Sequence, residues 1–208
     1  MELSAVEREI AITLVEALVE YGLNDHLAQY GDKGTERWFD DMELYRLGFS
    51  IASGASKSCI EHDDLDWVIK VGHTESVNCD YAKLEYENYC RAKEAGLEYY
   101  FPATFFLGEF GGRPFYVQEM VECDECQVSS DWYERLRDEY DEIGEEYDCD
   151  SLWDAIYNMD DDERANLSFH NQELTDFLME HHIGDLHEGN FGYIGGRMVI
   201  IDFSGWAG

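Results

Sequence analysis

Two carboxylates and one amide near the end of the chain have a spacing that suits metal binding and proton transfer. Asp185 precedes Asn190 by five residues, and Asp202 follows Asn190 by twelve. Between the last two, Gly195 and Gly196 separate two short apolar runs, which is typical of a β-hairpin. Since a hairpin returns its end to its start, we expect Asp202 beside Asn190. Oxygen ligands that meet there suit a hard cation such as Mg²⁺, with phosphate oxygens completing its octahedron. Two solvated loop acids beside a strand are the alternative.

Small residues and a lysine lie between the first two predicted strands, which cover residues 47–51 and 59–62. The segment Ala-Ser-Gly-Ala-Ser-Lys-Ser contains Gly54, Ser56 and Lys57, and residues as small as these let backbone amides approach phosphate groups. A plain hairpin turn would have a similar composition.

A lysine inside an apolar strand is the next candidate. Lys70 lies 16 residues after Gly54, in a strand predicted over 67–71. A charge in such a strand is costly unless it is paired, although an edge-strand lysine that reaches solvent is an alternative. The helix predicted over 80–95 carries Glu85 on its inward stripe, and a buried acid requires a cation.

Hydrophobic periodicity predicts the other elements that position these residues. Ser4 and Glu7 have capping-box spacing ahead of a helix whose apolar residues recur every four positions from Val6 to Leu18. Residues 122–163 hold 18 acids in 42 positions, with aromatic residues at helical spacing, which predicts two acidic-faced helices. The remaining predictions are helices over 4–21, 36–45 and 167–181, and a hairpin joining strands 105–108 and 114–121.

Composition bounds the class of protein. A chain of 208 residues is long enough for one domain or one small two-lobed unit. No apolar run reaches 18 residues and the N-terminus is acidic, so we expect neither a membrane span nor a signal peptide. Six cysteines without regular spacing predict reduced thiols and a cytoplasmic location.

The net charge of −33 is extreme and opposes direct binding of nucleic acid. It also opposes binding of ATP, so a nucleotide site here would need Mg²⁺ and locally placed lysines. A solubility surface, a halophilic origin and mimicry of a nucleic acid that occupies a basic partner all remain open.

These motifs together resemble the protein-kinase-like superfamily. Asp-Leu-His-Glu-Gly-Asn, from Asp185 to Asn190, resembles the catalytic loop D-L-x-x-x-N, and Ile-Asp-Phe-Ser around Asp202 resembles the metal-binding D-F-G. Val-Ile-Lys at Lys70 resembles the V-A-I-K strand. The form Leu-His-x-Gly-Asn is more similar to RIO, lipopolysaccharide, choline and aminoglycoside kinases than to typical protein kinases.

The resemblance implies an α+β, two-lobed protein-kinase-like fold. Residues 47–121 would form the N-lobe, a five-stranded antiparallel sheet with one helix. Residues 122–208 would form a truncated, mostly helical C-lobe with the catalytic and metal loops. Residues 1–46 would be an N-terminal helical extension.

The resemblance also implies roles for the charged residues. Lys70, paired with Glu85, would hold the α and β phosphates of ATP. Asn190 and Asp202 would bind Mg²⁺, and Asp185 would accept the proton of the acceptor hydroxyl.

Further nucleotide contacts follow from the same resemblance. Gly54, Ser56 and Lys57 would cover the phosphates, and the backbone of Glu119 and Val121 would meet adenine.

Three features depart from the family pattern. Ile183 replaces the histidine of H-x-D, Ser204 replaces the glycine of D-F-G, and the sequence given ends six residues after Asp202. The third departure predicts weak binding of a peptide substrate, since no activation segment follows.

Two functions therefore compete. The first is a minimal atypical kinase that uses ATP and Mg²⁺ to phosphorylate a protein Ser or Thr or a small-molecule hydroxyl. The alternative is a catalytically dispensable kinase-like scaffold whose acidic surface inhibits a basic protein partner or mimics nucleic acid. Compactness and acidity suit a virally encoded modulator, which would act in the host cytoplasm.

Overall fold

The computed structural model describes residues 2–23, 27, 42–53, 56–73, 80–122, 131–147, 169, 171–184, 186 and 188–205. These residues form an α+β fold. In chain order the elements are α1 (Ala5–Glu20), α2 (Met42–Arg46), β1 (Phe49–Ser53), β2 (Lys57–His62), β3 (Leu65–Gly72), α3 (Tyr81–Glu94), β4 (Thr104–Phe110), β5 (Arg113–Glu119), α4 (Asp131–Tyr147), α5 (Gln172–Glu180), β6 (Phe191–Ile194) and β7 (Arg197–Ile200), with 3₁₀ turns at Glu98–Tyr100 and Glu188–Asn190. Among the helices so described, none is both long and apolar enough to cross a bilayer.

The predicted antiparallel sheet is confirmed, with five strands in the order β1-β2-β3-β5-β4. β1 begins two residues later than predicted because Leu47 and Gly48 complete the turn after α2, with N–H groups that donate to Leu44 and Tyr45. β2 begins two residues earlier than predicted, at Lys57. This second shift moves Lys57 from the loop into the sheet.

α1 has the predicted capping box. The Ser4 hydroxyl accepts from the Glu7 N–H at 3.2 Å, and the Glu7 carboxylate accepts from the Ser4 N–H at 2.8 Å. The same carboxylate accepts from the indole N–H of Trp67 at 2.9 Å, which ties α1 to β3. The predicted apolar stripe is confirmed in part. Leu18 is buried and Ile10 and Leu14 pack against the core, whereas Val6 is exposed.

α4 confirms the first of the two acidic-faced helices. Its residues Tyr133 and Leu136 are buried, and the Tyr133 ring contacts Phe191 of β6 with centroids 4.6 Å apart. The acids Glu134 and Asp138 are exposed on the other side. The second predicted acidic helix lies outside the described residues.

α5 ends in a hydrogen-bonded turn that directs the chain towards the candidate site. The Ile183 N–H donates to the Leu178 carbonyl at 2.9 Å, and the His182 N–H donates to the Met179 carbonyl at 3.2 Å. This is the Schellman pattern, which requires a left-handed residue after the helix. His182 has φ +55° and is that residue. The turn brings Ile183 into the core, two residues before Asp185.

We expect His182→Gly to increase the free energy of unfolding by about 1 kcal/mol, because glycine adopts the left-handed conformation without a Cβ clash. Glu180→Gly is the matched control, since that exposed residue is the last of α5 and has helical backbone, so glycine there should cost roughly 0.5 kcal/mol. Urea denaturation measures both. Two variants that shift stability in the same direction would contradict this account of the turn.

Candidate functional site

A buried glutamate on α3 lies at the centre of the candidate site. Glu85 has no exposed surface. Its Oε2 accepts a hydrogen bond from Lys70 Nζ at 2.7 Å, so the expected ion pair is present. Lys70 lies on β3, and α3 packs against β3. The helix begins at Asp80, whose carboxylate accepts from the backbone N–H groups of its first turn.

Lys57 is a second cation on the same carboxylate. Its Nζ donates to Glu85 Oε1 at 2.6 Å and to Asp202 Oδ1 at 2.8 Å. The strand register explains this direction. Cys59 pairs with Lys70, so their side chains share one face of the sheet, and Lys57 lies two residues before Cys59 on that same face. The prediction that Lys57 lies in the loop is therefore wrong, because Lys57 is part of β2 and its side chain is only 10% exposed.

A close approach of the backbone makes room for this arrangement. Gly72 pairs with Lys57 across the strands, and the Asp80 side chain fills the space that a Cβ at position 72 would need. A side chain at position 72 would displace the Asp80 carboxylate, which caps the first turn of α3.

The predicted hairpin is confirmed and brings Asp202 close to Asn190. Phe191 pairs with Ile200, and the Ile201 N–H donates to the Asn190 carbonyl at 2.9 Å, directly before Asp202. Asn190 is buried, whereas the Asp202 side chain is 41% exposed. The expected position of Asp202 next to Asn190 is therefore correct.

A second residue of α3 holds the segment that follows Asp202. Asn88 lies one helical turn after Glu85, and its Nδ2 donates to the carbonyls of Phe203 at 2.8 Å and Ser204 at 3.3 Å. The Ser204 hydroxyl in turn donates to Asp202 Oδ1 at 3.2 Å. Sequence reasoning assigned Asn88 no role, although its place on the inward stripe of α3 was the available signal. α3 thus positions both halves of the site.

Lys57 and Asp202 stabilise each other's ionised form. Burial alone would lower the pKa of Lys57, but Glu85 and Asp202 together raise it above its ordinary value. Burial alone would raise the pKa of Asp202, but Lys57, Lys70 and the Ser204 hydroxyl hold it below its ordinary value. Lys57 and Asp202 are therefore both charged at neutral pH.

The end of β5, where the backbone was predicted to contact adenine, is fixed by contacts within the protein. The Glu119 N–H donates to the Ala103 carbonyl at 2.8 Å, so this backbone donor is already used. The Glu119 side chain accepts from Arg197 Nη2 at 3.3 Å. Next to it, Val121 lies against Gly192, where a side chain would collide with it.

Arg197, which sequence reasoning missed, attaches the β6–β7 hairpin to the rest of the protein. Besides Glu119, its guanidinium donates to the Tyr99 carbonyl at 2.6 Å and to the Phe101 carbonyl at 3.4 Å. Its planar fork of donors suits several carbonyls at once. The hairpin that carries Asn190 is thereby held against the turn that follows α3.

The remaining predicted residues are only partly described. Asp185 and Gly54 lie outside the described residues. Ser56 is described, and its carbonyl accepts from the His73 N–H at 2.9 Å, which extends the pairing of β2 with β3 beyond Lys57 and Gly72.

The donor set at Asn190 and Asp202 fits Mg²⁺. An amide oxygen and a carboxylate are hard oxygen donors, and proteins commonly supply Mg²⁺ with one or two such ligands while phosphates and waters supply the others. The ammonium groups of Lys57 and Lys70 lie beside them and suit phosphate oxygens.

No protein-family model matches this chain, and no curated protein matches it with significance.

We expect Glu85→Leu to reduce the free energy of unfolding by roughly 3–5 kcal/mol, because two ammonium groups would lose their shared buried counter-charge. Glu87→Leu is the matched control on the same helix, since Glu87 is half-exposed and pairs with Lys83 at 3.4 Å on the surface. That variant should change stability by less than about 1 kcal/mol.

The triple variant Lys57→Met, Lys70→Met, Glu85→Leu removes the three buried charges together and leaves only Asp202, whose side chain is 41% exposed. We expect it to recover most of the stability lost in Glu85→Leu. Urea denaturation of the three proteins measures this. Equal losses in Glu85→Leu and Glu87→Leu would contradict a central role for the buried carboxylate.

Proposed function

We propose that this protein is a minimal kinase-like phosphotransferase, which binds ATP with Mg²⁺ and transfers the γ-phosphoryl group to a hydroxyl. The observation that carries the proposal is the continuous set of ion pairs in which Lys70 and Lys57 share Glu85, and Lys57 continues to Asp202. Kinases use a strand lysine held by a helix glutamate, with a metal-binding aspartate nearby, to position the phosphates of ATP.

The proposed fold has two lobes. Residues 47–121 bind the phosphates through the sheet and α3, and residues 122–208 supply the catalytic and metal loops. Residues 1–46 are a helical extension. In support, Phe101 beside the end of α3 packs on Phe203 of the metal loop with ring centroids 5.0 Å apart, so the two parts meet at the candidate site.

Each polar residue has a role in the proposed mechanism. Lys70 and Lys57 donate to phosphate oxygens, and Asn190 and Asp202 are the ligands for Mg²⁺, which supplies positive charge to the β and γ phosphates when bound. The acceptor oxygen forms a bond to the γ-phosphorus while the bond from that phosphorus to the leaving oxygen of ADP breaks. Asp185 accepts the hydroxyl proton.

The proposed chemistry requires little beyond positioning and charge. Phosphoryl transfer is accelerated mainly by groups that are fixed before the reaction and neutralise charge in the transition state. Lys57 and Lys70 are fixed in this way by their shared carboxylate. The acceptor is the hydroxyl of a protein Ser or Thr or of a small molecule.

We expect Lys70→Met to weaken binding of a non-hydrolysable ATP analogue in Mg²⁺ by about 10- to 150-fold, which corresponds to the loss of one charge-assisted hydrogen bond. Lys83→Met is the matched control, because Lys83 lies on α3 with its side chain 57% exposed. Asp185→Asn should keep the affinity and lose transfer of the γ-phosphate to an acceptor hydroxyl. Isothermal titration calorimetry measures the affinity, and equal affinities for Lys70→Met and Lys83→Met would contradict the assignment.

A second candidate function is supported by the surface of α4. Its described acids Glu134, Asp138, Asp141 and Glu142 are exposed, while its apolar side faces β6. Such a face attracts a basic protein at a rate that falls steeply with salt. The protein would then act as an acidic scaffold that occupies this partner, whether or not it transfers phosphate.

The test of this second function is a charge-matched pair of variants. One neutralises Glu134, Asp138, Asp141 and Glu142 to the corresponding amides, and the other neutralises Glu2, Glu9, Glu16 and Glu20, which are exposed near and along α1. We expect salt-sensitive partners recovered by wild type in a pull-down to be lost only with the α4 variant. Equal recovery by both variants would reduce the acidity to a general property of the surface.

A further inference from the structure

The charges at the candidate site cancel, which is unusual for a site that is to hold divalent cations. Two ammonium groups, of Lys57 and Lys70, face two carboxylates, of Glu85 and Asp202. A strand lysine paired with a helix glutamate would leave the metal-binding aspartate uncompensated. Here Lys57 compensates Asp202 directly.

Lys57 occupies one side of the carboxylate that would hold the metal. Asp202 Oδ1 accepts from Lys57 Nζ at 2.8 Å and from the Ser204 hydroxyl at 3.2 Å. A divalent cation on that same oxygen would lie within a few ångströms of a buried ammonium and would be repelled by it. The Asp202 side chain is nevertheless 41% exposed, so part of it remains accessible to an ion.

The position of Lys57 is fixed in the fold. The residue begins β2 and pairs with Gly72, and its ammonium is held by two carboxylates from different parts of the chain. An ammonium has three N–H donors, and Glu85 and Asp202 take two of them. Among the described residues no further acceptor contacts this ammonium, which leaves its third N–H for a phosphate oxygen.

From this geometry we infer that Lys57 takes the place of a second divalent cation, so that the site binds a nucleoside triphosphate with one divalent ion at most and retains affinity for it when divalent ions are removed. The inference rests on the proposed function, because it concerns the same phosphate site. Its ligand class is a nucleoside triphosphate, and Lys57 and Lys70 are the residues that make metal-free binding favourable.

The test measures the affinity of a non-hydrolysable ATP analogue in Mg²⁺ and in EDTA. For wild type and for Lys57→Arg, which keeps the charge, we expect chelation to weaken binding by less than about 10-fold. In EDTA, the affinity of Lys57→Met for the analogue should be about 10- to 150-fold lower than that of wild type, which corresponds to the loss of one charge-assisted hydrogen bond. The loss in Mg²⁺ should be smaller, because a second ion can then bind the released carboxylate.

The number of metal ions bound with each analogue is an independent measurement, and wild type alone is enough to test the inference. Electron paramagnetic resonance with Mn²⁺ should find one ion per bound analogue in wild type and two in Lys57→Met. Two ions in wild type, or binding in wild type that disappears in EDTA, would overturn the inference and leave the proposed function intact. Absence of binding to wild type both in Mg²⁺ and in EDTA would instead overturn the proposed function, and the inference with it.

Discussion

The carboxylate of Glu85 is the group on which the rest of the structure depends. It has no exposed surface, and each of its oxygens accepts from a different lysine. A buried carboxylate is tolerated only when paired and hydrogen-bonded, and the same holds for the two ammonium groups. These ion pairs therefore require that α3 stay packed against β3 and that Lys57, at the start of β2, point towards Glu85. Because Lys57 also donates to Asp202, the same set of ion pairs fixes the segment around Asp202 with respect to the sheet.

The candidate site holds two cations and two anions, whereas the whole protein is strongly acidic. The chain has 47 acidic residues and only 14 lysines and arginines, so its surface repels polyanions at long range. Two of those lysines are fixed at one carboxylate, where burial makes their field stronger than it would be in water. In the proposed complex a polyanionic ligand is therefore held by short-range contacts with Lys57 and Lys70, since the long-range field opposes its approach.

Local sequence patterns predicted several features well, and the limits of that prediction have physical causes. The capping box of Ser4 and the Gly195-Gly196 hairpin depend on neighbouring residues, and both are present. The pair of Lys70 with Glu85, which the family resemblance implied, is consistent with an inward helix acid and a strand lysine that each need a partner. Lys57 was misplaced because its direction depends on the register of β2 against β3. Asn88 and Arg197 contact carbonyls distant in sequence, and a sequence pattern does not indicate such contacts.

The most direct measurement of the central claim is a nitrogen-15 NMR spectrum of the lysine ammonium groups, recorded before and after addition of a non-hydrolysable ATP analogue. Buried, paired ammonium groups exchange slowly with water, so the account predicts two protected signals, assigned to Lys57 and Lys70 by their loss in Lys57→Met and Lys70→Met. Both signals should shift when the analogue binds, while the exposed Lys83 remains unchanged. Protected signals that do not respond to the analogue would contradict the claim that the lysines on Glu85 form a phosphate-binding site.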